Sequence, residues 1–306
     1  MSLLKLDGVL KRYEGVTAVD HVSFTVPDGA IFGLLGPNGA GKTSIIRMIT
    51  TITRPDAGEI YVSGQAVGRE TIGKVGYMPE ERGLYKKMNV EDHLLYLARL
   101  KGLSKADATR ALDYWFDRFS IETWRTKKIE ELSKGMQQKI QFIATVVHDP
   151  DLIILDEPFS GLDPINTNLI KDEIYELAQR GKQIVFSTHR MEQVEEICDY
   201  IVLINKGKNV LEGWVKDIKQ SFRENLYEVK VDGELDDSVL QAYSLRDRTR
   251  GGAYVVQLPE TKPGNALLSD LVGAGINVTS FREVLPSLNE IFIRQVGDYN
   301  PVLETV

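Results

Sequence analysis

The sequence predicts an α/β fold, with a parallel sheet built around a phosphate-binding loop and a smaller α+β domain after it. Three observations carry that expectation. Gly36-Pro37-Asn38-Gly39-Ala40-Gly41-Lys42-Thr43 fits G-x-x-x-x-G-K-[ST]; the apolar run Ala30 to Leu35 precedes it and Ser44 to Ile49 continues as a helix. Strand, glycine-rich turn and helix is the context this motif needs. The second observation is the apolar run Leu152-Ile153-Ile154-Leu155, which stops at Asp156-Glu157-Pro158. The third is a change of pattern after Trp214-Val215-Lys216, where Tyr227, Val229 and Val231 alternate with charged residues.

The glycines of the loop let successive backbone N–H groups turn inward around phosphate oxygens at the positive end of a helix. Gly36 to Ser44 form the expected phosphate-binding set, with Lys42 reaching the β- and γ-phosphates and the Thr43 hydroxyl placed on Mg²⁺. The carboxylates that end the second run matter because ligands of parallel α/β sheets sit at the C-terminal ends of the strands. Asp156 is expected to hold Mg²⁺ through water, and Glu157 to orient and polarise the attacking water. His189, in Ser187-Thr188-His189, follows the strand expected at Gln183 to Phe186 and again sits just past a strand end. His21, His93 and His148 have no such context and receive no role.

At 306 residues the chain has room for two domains and a substantial core. It is 42% hydrophobic and 26% charged, ordinary globular values. A formal net charge of −7 disfavours a broad nucleic-acid-binding face. The one cysteine, Cys198, excludes an internal disulfide framework and fits a reducing compartment. The first residues lack the basic region and apolar core of a signal peptide, and no apolar run approaches a membrane span. A cytoplasmic protein is expected, and if it acts at a membrane another chain must provide the membrane part.

In chain order, Leu4 to Val9 and Val22 to Val26 read as strands around a turn-like Arg12-Tyr13-Glu14-Gly15. Tyr13 lies upstream of the phosphate loop. It is either an exposed aromatic that stacks on a purine base or an ordinary core or surface tyrosine, and spacing leaves both open. Glu59 to Val62 and Lys74 to Met78 are further short strands. From Val90 the pattern is helical: Leu94, Leu95, Leu97 and Leu100 make one apolar face, and Ala108, Leu112, Trp115, Phe116 and Phe119 another. Gly102-Leu103-Ser104 separates them, with Ser104 as N-cap. These stripes read as a small helical subdomain, about residues 84–148, part of whose aromatic surface is a candidate for docking a partner. Lys139 to His148 and Ile165 to Gln179 are helices. Beyond residue 218 come strands at Ala253 to Leu258 and Val278 to Val284, a helix at Ala266 to Val272, and a last helix opened by a Ser287/Glu290 capping box. This appendage, residues 219–306, carries no catalytic cluster, phosphate loop or metal-ligand spacing. Packing support and regulation are equally open as its role.

Between the phosphate loop and the carboxylate strand lies Leu132-Ser133-Lys134-Gly135-Met136, which resembles the signature sequence of ABC ATPases. Together with Ser160-Gly161-Leu162-Asp163 and Ser187-Thr188-His189, the order of motifs resembles a complete ABC cassette over residues 1–218. The resemblance implies a RecA-like core with an antiparallel β subdomain and the helical subdomain. It also implies residue roles: Tyr13 as the adenine-stacking aromatic, Ser133 and Gly135 as groups that reach the γ-phosphate of the opposite subunit, Glu157 as the catalytic glutamate, Asp163 as a residue communicating across the dimer, and His189 as the switch histidine. Lys134 and Met136 stand where the family usually has Gly and Gln. Glu80, in Tyr77-Met78-Pro79-Glu80-Glu81, stands where it usually has Gln; it still offers oxygen to Mg²⁺ but adds charge and donates no hydrogen bond.

The run Glu80 to Tyr85, the signature and the tail Leu285 to Phe292 are similar to bacterial type-2 ABC exporters, among them sodium-efflux and drug-export subunits. That resemblance implies an ATP- and Mg²⁺-dependent ATPase that works with a separate membrane permease at the inner face of the cell membrane. A second cassette, a copy or a paralogue, would share the ATP at the interface; no nucleic-acid partner is expected. The alternatives are a soluble ABC ATPase acting on ribosomes or DNA, and a regulator that binds ATP without hydrolysing it. The single cassette and absence of sustained heptads weigh against the first, Glu157 and His189 against the second.

Overall fold

The computed structural model describes residues 3–81, 83–233, 243–249 and 251–297. The chain divides into two compact units, Met1–Trp214 and Val215–Val306.

The first unit holds two sheets. Strands β1 (Leu4–Tyr13), β2 (Val16–Thr25), β4 (Ala57–Val62) and β5 (Gln65–Ala66) form an antiparallel sheet in the order β2-β1-β4-β5. β1 and β2 are longer than the sequence reading: Arg12 and Tyr13 belong to the strand, and only Glu14 and Gly15 make the turn, both at positive φ. A two-residue hairpin of that kind matches the twist of the strands it joins.

The second sheet is formed by β3 (Ile31–Leu35), β6 (Val75–Met78), β7 (Leu152–Asp156), β8 (Gln183–Thr188), β9 (Tyr200–Asn205) and β10 (Lys208–Trp214), in the order β10-β9-β3-β8-β7-β6. All neighbours are parallel except β10, which turns back on β9. Every residue of β3, β7 and β8 is buried, as expected of parallel strands covered on both faces. Register sets the strand ends side by side: Leu35 pairs with Thr188, Asp156 with Ser187 and Met78 with Leu155. The four loops that follow β3, β8, β7 and β6 therefore leave the sheet along one edge.

Helix α1 (Lys42–Ile49) follows the phosphate loop. The helical subdomain contains α2 (Val90–Leu100), α3 (Lys105–Phe119) and α4 (Lys134–Val146). Ser104 caps α3, its hydroxyl accepting from the Asp107 N–H at 3.1 Å. The α3 stripe is buried as expected, but α2 differs: it buries Val90, His93, Leu94 and Ala98, while Leu100 is 64% exposed. The leucine spacing alone places His93 outside the stripe, whereas the helix turns His93 into the core. Helices α5 (Pro164–Gln179) and α6 (Met191–Ile197) complete the unit. An ion-pair network joins α3 to α5: Arg118 bonds Glu173 at 2.6 Å and also Glu176, which in turn holds Arg180.

The second unit begins with α7 (Val215–Ser221) and has its own four-stranded antiparallel sheet, β12 (Ser244–Arg248), β13 (Tyr254–Gln257), β11 (Leu226–Val231) and β14 (Val278–Val284) in that order. Helix α8 (Gly264–Gly273) buries Leu267 and Leu271 in a cluster with Val229, Tyr254 and Val256. A Cβ on Gly264 would lie 2.4 Å from the Tyr227 ring, so a larger residue at this helix start would have to displace that side chain. The capping box of α9 (Leu288–Gly297) forms as expected: the Glu290 carboxylate accepts from the Ser287 N–H at 2.7 Å and the Ser287 hydroxyl from the Glu290 N–H at 3.2 Å. Among the described residues no helix is long and apolar enough to cross a membrane.

Candidate nucleotide site

Residues 36–41 wrap the start of α1. Gly36 and Gly41 have φ of 147° and 114°, and a Cβ on them would lie 2.1 Å from the Ile204 carbonyl oxygen and 2.4 Å from that of Ala18. Both positions thus require glycine on grounds of conformation and space. Gly41 as N-cap supplies no side-chain acceptor, so the first N–H groups of α1 stay available to a ligand. The Lys42 ammonium donates to the carbonyls of Gly36 at 2.6 Å and Pro37 at 3.1 Å. Burial lowers its pKa, and Asp156, Glu157 and Glu80 pull it back up.

Asp156 ends β7 and is 6% exposed. Burial pushes its carboxyl up to about 6, opposed by the Ser187 hydroxyl and reinforced by the charges of Glu80 and Glu157, with Lys42 pulling it down. The next residue, Glu157, takes a left-handed φ of 51°. Its N–H bonds the Ser187 carbonyl at 2.9 Å, which fixes the bend. The Glu157 carboxylate accepts from the Thr188 hydroxyl at 3.1 Å and from the His189 N–H at 2.9 Å, and its Oε1 lies 2.7 Å from His189 Nδ1. A non-glycine residue held at positive φ by this many bonds is strain stored at a point where side-chain direction matters.

These groups surround one cavity of about 180 Å³ lined by Ala18, Asn38 to Ser44, Glu80, Asp156, Glu157 and His189. The four strand ends thus bring together most of the residues expected from sequence. Gly36 and Pro37 contribute through Lys42 rather than by lining the cavity. Tyr13 is outside the lining; it ends β1, is 39% exposed and has the Lys11 ammonium 5.4 Å from its ring. Ser133 is the N-cap of α4, its hydroxyl accepting from the Met136 N–H at 3.2 Å. Gly135 lies beside Gly161 and Leu162, and Asp163 caps α5 by accepting from the Asn166 N–H at 2.9 Å, a bond that holds its pKa down. None of these three lines the cavity.

Two participants escaped the sequence reading. Ala18 closes one wall, and Thr188 orients Glu157; Ser187-Thr188 directly before His189 was the available signal for the second, while Ala18 left none. Thr43, Glu80 and Asp156 offer one hydroxyl and two carboxylates at the cavity, an all-oxygen donor set that fits a small hard cation such as Mg²⁺.

Comparison with known proteins agrees with this geometry. The family model described as ABC transporter matches residues 19–160, and that described as ATP-binding protein DrrA1-3-like, C-terminal domain, matches residues 213–296. The uncharacterized ABC transporter ATP-binding protein YhaQ of Bacillus subtilis is 43% identical over 96% of this chain and 99% of its own. The Nod factor export ATP-binding protein I of Burkholderia pseudomallei is 40% identical over 70% of this chain and 72% of its own. A solved structure of an ATP binding subunit of an ABC transporter superposes with a TM-score of 0.68 at 32% identity, covering 72% of this chain and 93% of that one. The chain therefore belongs to the ATP-binding proteins of ABC transporters, with a DrrA-like C-terminal domain.

Proposed function

We propose that this protein is the ATP-hydrolysing subunit of an exporter, driving transport through a separate membrane permease. The observation that carries the reading is the convergence of Lys42, Asp156, Glu157 and His189 on one cavity at neighbouring strand ends. A relative named for Nod factor export supports the direction of transport.

In the proposed reaction the phosphates of ATP lie against the N–H groups of residues 38–44, and Lys42 exchanges its loop carbonyls for phosphate oxygens. A bound Mg²⁺, held by Thr43 and Asp156 with Glu80 nearby, would neutralise phosphate charge. Glu157 polarises the attacking water and takes its proton. The water oxygen bonds to the γ-phosphorus as the bond to the β-phosphate bridging oxygen breaks, leaving ADP and phosphate. Two carboxylate oxygens offer about four acceptor positions. Thr188 and the two His189 groups occupy three and leave one for water. His189 and Thr188 thus aim the carboxylate, and catalysis is positioning plus electrostatics.

Tyr13 is proposed to stack on the adenine. Ser133, Gly135 and Asp163 do not line this chain's own cavity, which supports their acting on the nucleotide of a second cassette. The chain would then sit at the inner face of the membrane through its permease. The test is a tagged pull-down from gently solubilised membranes, with co-purifying chains identified. A multi-span permease in stoichiometric amount supports the exporter; ribosomal or DNA-repair proteins with no membrane chain contradict it.

A further inference from the structure

Helix α4, headed by Ser133, carries two buried glutamines three residues apart on one face. Gln138 is 3% exposed; its Nε2 donates to the Pro158 carbonyl at 2.9 Å, with the Glu157 carbonyl at 3.5 Å. Gln141 is 4% exposed and donates through Nε2 to the Pro79 carbonyl at 2.5 Å. Pro158 follows Glu157, and Pro79 precedes Glu80. One helix therefore grips both loops that deliver carboxylates to the cavity, and it grips them by backbone.

Stability alone does not account for the Gln141 amide. Among the described residues the Oε1 of Gln141 is buried with no hydrogen-bond partner. An orphaned acceptor is a cost; an apolar side chain of similar volume would remove it but take the donor from the Pro79 carbonyl, so the exchange is close to neutral in stability. What an apolar side chain lacks is the N–H donor that fixes the Pro79 carbonyl.

We infer that Gln138 and Gln141 are positioning residues: through them the helix that carries Ser133 sets where Glu157 and Glu80 lie. The inference rests on the hydrolytic reading above. Neither glutamine lines the cavity, so neither acts by touching nucleotide.

The test uses the full-length chain. Gln141→Leu should melt within about 4 °C of wild type, because one orphaned acceptor replaces another. Hydrogen exchange should nonetheless accelerate in peptides spanning residues 79–81, and kcat should fall about tenfold with ATP affinity unchanged. Gln138→Glu supplies a second readout. Ionised, it cannot donate to the Pro158 carbonyl; protonated, it can, and burial raises its pKa. Its kcat relative to wild type should recover as pH falls from 8 to 6, whereas Gln138→Leu should show no such recovery. Wild-type exchange and wild-type kcat in Gln141→Leu would overturn the inference, as would activity losses that merely track melting temperature. Wild type and Glu157→Gln are run alongside: turnover absent from the first or retained in the second overturns the hydrolytic reading itself, and this role with it, whatever the exchange shows.

Discussion

Glu157 Oε1 lies 2.7 Å from His189 Nδ1 and accepts from the His189 N–H at 2.9 Å, so one residue holds the carboxylate by both ring and backbone. With the carboxylate ionised, Nδ1 carries the proton of this contact. His189→Ala removes the ring contact and leaves the backbone one. We expect kcat for ATP hydrolysis to fall about 100-fold, the scale for a misplaced reacting group, with ATP affinity within about threefold of wild type. Steady-state kinetics with a separate binding titration checks the split.

Gly41→Ala tests the loop without touching a charge. The new Cβ would meet the Ala18 carbonyl oxygen at 2.4 Å in a backbone with φ of 114°. We expect a loss of about 1–3 kcal/mol in stability and more than tenfold in ATP affinity, measured by denaturant unfolding and by titration.

His93 and His148 are buried at 0% and 8% exposure, and burial lowers both pKa values to about 4. In the unfolded chain a histidine titrates near 6.5. Between about pH 6.5 and 4 the unfolded state binds more protons than the folded one, so stability falls as pH drops through that window. Above pH 6.5 this contribution is constant. Urea midpoints at pH 7.5, 6 and 5 should decline in that order, and replacing either histidine by Phe should flatten the decline.

Arg118 bonds Glu173, whose side chain is 4% exposed, at 2.6 Å. Burial raises the Glu173 pKa and Arg118 opposes the rise. Arg118→Ala strands a buried carboxylate and should destabilise by about 2 kcal/mol, at the low end because the arginine is partly exposed. Adding Glu173→Gln should recover part of the loss, as read from unfolding midpoints.

The half of the site at the strand ends was legible because its chemistry is local. The loop at residues 36–43, the carboxylates at the end of β7 and the histidine after β8 each follow an apolar run within a few residues, and parallel register does the rest. The strand pair β9 and β10 was not read. β10 alternates weakly, with no residue fully buried, and its place is set by pairing to β9 rather than by its own pattern. The edge strand β12, Ser244–Arg248, is exposed at every residue. Its order comes from hydrogen bonds to β13, which leave no hydrophobic mark. In α2 the leucine spacing pointed to one face, while packing chose another that contains His93. Nothing in the sequence singles out Gln138 and Gln141, and only the fold brings them against Pro158 and Pro79.

The most direct measurement is the steady-state ATPase rate of the purified chain, wild type against Glu157→Gln, with ATP binding followed separately. The account predicts that the variant binds ATP at least as well as wild type, turns over at least about 100-fold more slowly and accumulates an ATP-bound dimer. A variant that hydrolyses ATP at the wild-type rate would contradict the role given to Glu157 and the mechanism built on it.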